Sequence, residues 1–307
     1  MTFARGATLT TATTFGHADT SNLGPTAGNG FYKRWPDDLA LLQELGVTDL
    51  RFTFDWARLQ PKPGELDGAW SDRFEQMLAA CDAIDLRVWA TLHDGDEPRW
   101  VTNEGGLNSD DVADKWWPRY VEKVADKFGP GIAGWIPFAG VDDTASSAGW
   151  QNTWAALNGG DAPVVVALAA EHAEKFSAYL DSSDMIGLVL AHEALAEPEP
   201  GEPLEPTDDW FAQMSGHLHD TIGLAAESAG DHEIVIAQFT PHHDDPDVAG
   251  RIVSAFVEAV DGAIADGVTI DLAFLDPAIA GPDSPVGLLS SDRTAQPAAA
   301  AFLPTSA

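Results

Sequence analysis

The sequence predicts an α/β fold, a (β/α)8 barrel of the TIM type, in one domain over residues 1–307. Three observations predict it. Short apolar runs rich in β-formers alternate with helix-period segments, as repeated strand-helix units around a parallel sheet require. With 307 residues, 45% of them apolar, the chain can bury one large core. Neither an internal repeat nor a linker marks a second domain.

The first strand is expected at ATLTTATTF, residues 7–15. A turn-rich stretch with Asn22, Gly24, Pro25, Gly28 and Gly30 follows, and a helix begins near Pro36. In that helix Leu39, Leu42 and Leu45 recur at helical spacing, and Gly46 is placed to end it. Next come strand DLRFTFDW, helix RFEQMLAACDAI, strand LRVWATLH, helix DVADKWWPRYVEKVADKF and strand IAGWIPFA. The second half continues with helix VVVALAAEHAEKFSAYL, strand MIGLVLAH, an acidic loop and helix WFAQMSGHLHDTIGLAAES. Strand EIVIAQF, helix GRIVSAFVEAVDGAIADG and strand TIDLAFLD complete it. That is seven strands, where a closed barrel needs eight. The gap falls between residues 195 and 232, where only TIGLAAE, inside a helical segment, has strand character. The sixth strand-helix unit is therefore expected to be degenerate or missing.

Charge narrows the function classes. There are 49 acidic residues against 16 basic ones, a formal net charge of −33. Such a surface repels phosphate, which argues against nucleic acid and anionic membranes as partners. The acids are spread along the chain and chiefly solvate its exterior; their excess over lysine is similar to that of salt-adapted cytoplasmic proteins. Only EALAEPEPGEPLEPTDD, residues 193–209, concentrates acid and proline, as an extended, solvated loop does. No run approaches the roughly 20 apolar residues of a membrane span, and MTFARGATLT lacks a basic segment followed by a long apolar run, so a cytoplasmic location is expected. The lone Cys81, in MLAACDAI, reads as a buried small hydrophobe.

Several segments, in order, carry a resemblance. RGATLTTATTFG opens the chain, and WPDDLALLQELGVTDLRFTFDWARLQP holds an Arg-Phe-x-x-x-Trp-x-Arg-x-x-Pro pattern. ATLHDGDEPRWVTNEGGLNSDD, GWIPFAG and EIVIAQFT follow. On these segments the chain resembles glycoside hydrolase family 1, the β-glucosidase-like barrels. The resemblance implies hydrolysis of β-glycosides with retention, by two glutamates whose carboxyl groups stand roughly 5 to 5.5 Å apart. Here the acid position aligns with Gly140, after Ala139, and the nucleophile position with Gln238. An amide cannot ionise, and glycine has no side chain to donate a proton. Thr13, Asp94-Gly95 and Leu275 stand where the family has sugar-binding groups, while Arg51, Trp56, Arg58 and Pro98 keep its pattern. The expectation is a barrel that does not perform retaining β-glucoside hydrolysis. It would bind a small polar or carbohydrate ligand, or a protein partner, through the former pocket. The alternative is an enzyme of altered mechanism acting on a glycoside or other small polar substrate.

Sites in this fold gather at the C-terminal ends of the strands. Those ends would bring together Asp55; His93, Asp94 and Asp96; Asp142 and Asp143; His192 and Glu193; Gln238 with His242, His243, Asp244 and Asp245; and Asp276. From these, Asp94, His192, Glu193 and Asp276 are the catalytic candidates, and Arg51, Trp56, Asp94, Gln238 and Trp100 the ligand-binding ones. No cofactor is expected, although His242, His243, Asp244 and Asp245 carry the donor types of a divalent-metal site. The plainer readings are that HHDD is a solvated loop and that Asp55 braces Arg51 or Arg58. Trp89, Trp116, Trp117 and Trp135 read as packing residues, whereas Trp100, Trp150 and Trp154 sit where they could line a mouth.

Overall fold

The computed structural model describes residues 3–14, 28–139, 147–191, 206–281 and 284–304. Within them, eight parallel strands run β1 (Ala4–Leu9), β2 (Asp49–Thr53), β3 (Arg87–Thr91), β4 (Gly134–Trp135), β5 (Val165–Ala169), β6 (Met185–Ala191), β7 (Ile234–Thr240) and β8 (Ile270–Leu275). The sheet order is β4-β3-β2-β1-β8-β7-β6-β5. The last seam, between β4 and β5, is held by the Trp135–Val164 bridge and by Trp135 N–H donating to the Pro163 carbonyl at 2.8 Å. The barrel is thus nearly closed, with its weakest join there.

The eighth strand is β5, which corrects the expected helix over VVVALAAEHAEKFSAYL. Val164, Val165 and Val166 are β-branched and fully buried, and a short, wholly apolar run fits a buried strand as well as a buried helix. After it, residues 170–182 form only 3₁₀ turns before β6 begins. Irregularity therefore falls on the crossover after β5, and TIGLAAE lies inside the helix Asp208–Ala229. A helix Ser147–Leu157, unforeseen in the sequence, fills the β4–β5 crossover. The first strand is also shorter than expected. Thr11–Thr14 coils into a helical turn in which the Thr14 hydroxyl donates to the Thr10 carbonyl at 2.7 Å, a local bond that competes with strand pairing.

The other helices follow their apolar spacing. Trp117, Tyr120, Val121, Val124 and Phe128 make the buried face of the helix Trp117–Phe128. Asp67 caps the helix Gly68–Asp82 by accepting from Trp70 N–H at 3.0 Å. Inside the barrel, Trp89, Ile136, Val165, Ala167, Val235, Ala237, Leu272 and Phe274 form a separate apolar cluster. Two large rings fit there because glycine faces them: a Cβ on Gly134 would lie 2.2 Å from the Trp89 ring, and one on Gly6 2.4 Å from Phe274. Among the described residues, no helix is long and apolar enough to cross a membrane.

Candidate functional site

Above the apolar cluster the barrel interior turns polar. Strand alternation carries Thr8, Arg51, Thr91 and Asp276 inward, on the same faces as Gly6, Trp89 and Phe274. Arg51 is 2% exposed, and its guanidinium reaches across the barrel. It donates to Thr91 Oγ1 (2.9 Å), the Ala237 carbonyl (2.7 Å), Gln238 Oε1 (3.3 Å) and the Phe138 carbonyl (3.3 Å). Burial lowers its pKa to about 10, still charged at neutral pH, with Asp276 and Asp94 opposing the drop.

Gln238 ends up with both ends of its amide engaged. Its oxygen faces Arg51, and its NH2 donates to Thr240 Oγ1 (3.1 Å) and Asp276 Oδ2 (3.2 Å). Asp276 Oδ2 also accepts from the Thr240 hydroxyl at 3.3 Å. Burial pushes the Asp276 carboxyl up from 3.8 to about 6, against Arg51 and the Thr240 hydrogen bond, while Asp94 adds to the rise. The residue keeps some solvent contact, but Asp276 Oδ1 is shielded and has no hydrogen-bond partner among the described residues.

A cavity of about 620 Å³ opens at this end of the barrel, with His93, Asp94, Glu97, Asn108, Ala139 and Gln238 among its walls. Asp94 Oδ2 accepts from Thr11 N–H at 2.7 Å, and Glu97 Oε1 accepts from Leu107 N–H at 2.8 Å, 3.6 Å from His93 Nε2. Gly106, at φ +69°, lets the loop close over Glu97, since a Cβ there would lie 2.7 Å from Glu97 Oε2. Glu97 was not among the residues singled out in the sequence. Its only signal there was its place four residues after His93.

The expected residues divide. Asp94 and Gln238 line the cavity. Arg51 and Asp276 join them through the layer just described. Trp56 and Trp100 are not among the described residues that line it. Trp56 is 1% exposed, stacked on Tyr120, and its indole N–H donates to Gln60 Oε1 at 3.0 Å. Trp100 packs on Trp56 and Trp116, and its N–H donates to the Gln60 carbonyl at 2.9 Å. Trp150 is buried and donates to the Ser182 carbonyl, so it lines no mouth either. Asp55 braces Arg58, with which it forms a buried ion pair, and burial lifts its carboxyl to about 6 despite that partner.

In the loop after β7, Asp245 caps the helix Pro246–Ala265, accepting from Asp247 N–H at 2.8 Å, and His243 Nδ1 accepts from Asp245 N–H at 3.0 Å. His242 and Asp244 are exposed beside them. Among the described residues, no three His, Cys, Asp or Glu side chains are grouped to hold a metal ion. Gly140, Asp142, Asp143, His192 and Glu193 lie outside the described residues.

The family model for glycosyl hydrolase family 1 matches residues 5–184. A beta-glucosidase from an Agrobacterium species is 28% identical over 206 residues, covering 62% of this chain and 43% of that protein. A 6-phospho-beta-galactosidase from Staphylococcus aureus is 23% identical over 211 residues, covering 66% of this chain and 43% of that protein. The chain thus spans less than half the length of these curated relatives. Among solved structures, the AHE enzyme from Alicyclobacillus herbarius superposes with a TM-score of 0.74 at 16% identity, covering 93% of this chain and 90% of that one. A family 1 b-glucosidase from Thermotoga maritima gives 0.67 at 13% identity, with 95% and 91% covered. At such identities the structures speak for the fold alone.

Proposed function

The chain belongs to glycosyl hydrolase family 1, and we propose that it binds a small polar or carbohydrate ligand at the barrel mouth without hydrolysing a β-glucoside. Gln238 carries the reading. It stands on the cavity wall where the resemblance puts the attacking carboxylate, with its amide oxygen on Arg51 and its NH2 on Thr240 and Asp276. A carboxamide so held supplies hydrogen bonds but no nucleophile. Asp94 and Asp276 act on one another through space, and no hydrogen bond joins them, so they do not form a proton-sharing dyad. Cytoplasmic action belongs to the same proposal, supported by the lone buried cysteine, Cys81.

One observation favours the second reading, an enzyme of altered mechanism. A carboxyl lifted to about 6 beside a cavity is placed for acid-base work near neutral pH. In that case Asp276 would be the acid.

The experiment pairs turnover with binding. Purified protein is incubated with aryl β-glucosides and, separately, titrated calorimetrically with simple sugars. Binding with a blank turnover rate is expected, and Gly140→Glu with Gln238→Glu should restore little activity, because Thr13, Asp94 and Leu275 leave the sugar unheld. Turnover by the unmodified protein that disappears in Asp276→Asn would establish the second reading instead.

A further inference from the structure

We infer that the ligand of this cavity carries a positive charge, as an amino-sugar or another amine-bearing polyol does, and that phosphorylated or carboxylated sugars are excluded. This rests on the cavity being a binding site, as proposed above, and adds the charge of its occupant.

Among the described residues, the walls hold two carboxylates, Asp94 and Glu97, one imidazole, His93, and no lysine or arginine. Asp94 and Glu97 are each fixed through one oxygen by a backbone N–H, from Thr11 and Leu107. Neither Asp94 Oδ1 nor Glu97 Oε2 has a hydrogen-bond partner among the described residues, although the Gly106 turn lies against Glu97 Oε2. Preset acceptors of this kind suit a donor-only group such as an ammonium, which offers three N–H bonds and accepts none.

Arg51, the nearby cation, cannot reverse this preference. It is buried beneath the wall, and its N–H groups already face Thr91, Gln238 and the carbonyls of Ala237 and Phe138. Its charge is also matched by Asp276. An entering phosphate would therefore meet Asp94 and Glu97, and the one other ionisable wall group, His93, has its Nε2 turned to Glu97 at 3.6 Å.

Below the wall, two polar atoms are shielded from solvent. Thr8 is 2% exposed, and its hydroxyl lacks a hydrogen-bond partner among the described residues, as does Asp276 Oδ1. β1 pairs with β2 at Thr8–Arg51 and with β8 at Ala7–Leu275, so Thr8 stands between Arg51 and Asp276 on the inner face. Asp276 Oδ1 can only accept while ionised, the Thr8 hydroxyl can donate or accept, and neither residue is on the cavity wall. At longer range, the net charge of −33 enriches cations and depletes anions around the mouth.

The test is a calorimetric titration of the full chain, at neutral pH and low salt, with glucose, 2-amino-2-deoxyglucose, 6-amino-6-deoxyglucose and glucose 6-phosphate. At least one amine is expected to bind about tenfold tighter than glucose, with no binding of the phosphate, and added salt should shrink the gap. Asp94→Asn and Glu97→Gln each keep an acceptor for the backbone N–H that fixes them, so the fold is retained, and at least one of them should erase the preference. Equal binding of glucose and both amines would overturn the inference while leaving the binding reading intact, as would a preference that survives both variants. Binding of none of the four sugars would overturn both.

Discussion

Asp276→Asn should stabilise the protein at about pH 8 and change little at about pH 4. Burial raises this carboxyl from 3.8 to about 6 in the folded chain, so over that interval the folded state binds more protons than the unfolded one. Stability then falls as pH rises, and the loss is complete above the folded value. Moving a carboxyl from 3.8 to about 6 corresponds to about 3 kcal/mol, at about 1.4 kcal/mol for each tenfold change in the proton equilibrium. Some solvent contact remains at Asp276, so about 1 to 2 kcal/mol is the expected gain. Asparagine keeps an oxygen to accept from Gln238 while removing the charge. The assay is urea unfolding of both proteins across the interval, read as the difference between them. Asp55, also lifted to about 6, and the surface acids titrate alike in both proteins and cancel. A difference that stays flat with pH, or an Asn variant that loses ground as pH rises, would refute the reasoning.

Three further outcomes follow from packing. Gly134→Ala drives a Cβ to 2.2 Å from the Trp89 ring and should cost about 1 to 3 kcal/mol in thermal or chemical unfolding, with Trp89→Leu in the same chain recovering part of it. Asp38→Ala should cost about 3 to 5 kcal/mol, because Arg293 reaches both Asp38 oxygens, at 2.8 and 2.6 Å, in a buried pair; a double variant with Arg293→Met should lose less than the single one. Asp245→Ala should cost about 1 kcal/mol by uncapping its helix, and the melting-point response to divalent cations should match that of the unaltered chain if the loop holds none.

Much of the barrel was legible in the sequence because its strands and helices differ in period. The β5 strand was not, because Val164, Val165 and Val166 are buried on both sides, and burial erases the alternation that would have marked it. The Thr-rich end of the first strand misled for a different reason: threonine is a strand former whose hydroxyl also closes local turns. In the site, Asp94 and Gln238 could be read from their places at strand ends. Trp56 could not, since its environment depends on Tyr120 and Trp117, more than sixty residues away in the chain. Glu97 was missed because its role comes from a loop that turns back through Gly105 and Gly106 to present Leu107 N–H.

Arg51 shows why a retained residue is a weak guide to retained chemistry. It resembles a member of the family's sugar-site pattern, yet its bonds here run to the Phe138 carbonyl after β4, to the Ala237 carbonyl and Gln238 on β7, and to Thr91 on β3. Those bonds tie together strands on either side of the β4–β5 seam, the weakest join in the barrel. Removing the guanidinium would take a donor from two inward carbonyls and the opposing charge from Asp276, at a cost set by desolvation and independent of any ligand. The scaffold alone is reason enough for an arginine there. Gln238 and Asp94 also hold the scaffold, Gln238 through Arg51, Thr240 and Asp276 and Asp94 through Thr11 N–H, but their side chains reach the cavity wall as well. The ligand is therefore best sought through the residues on the cavity wall, with Asp94 first.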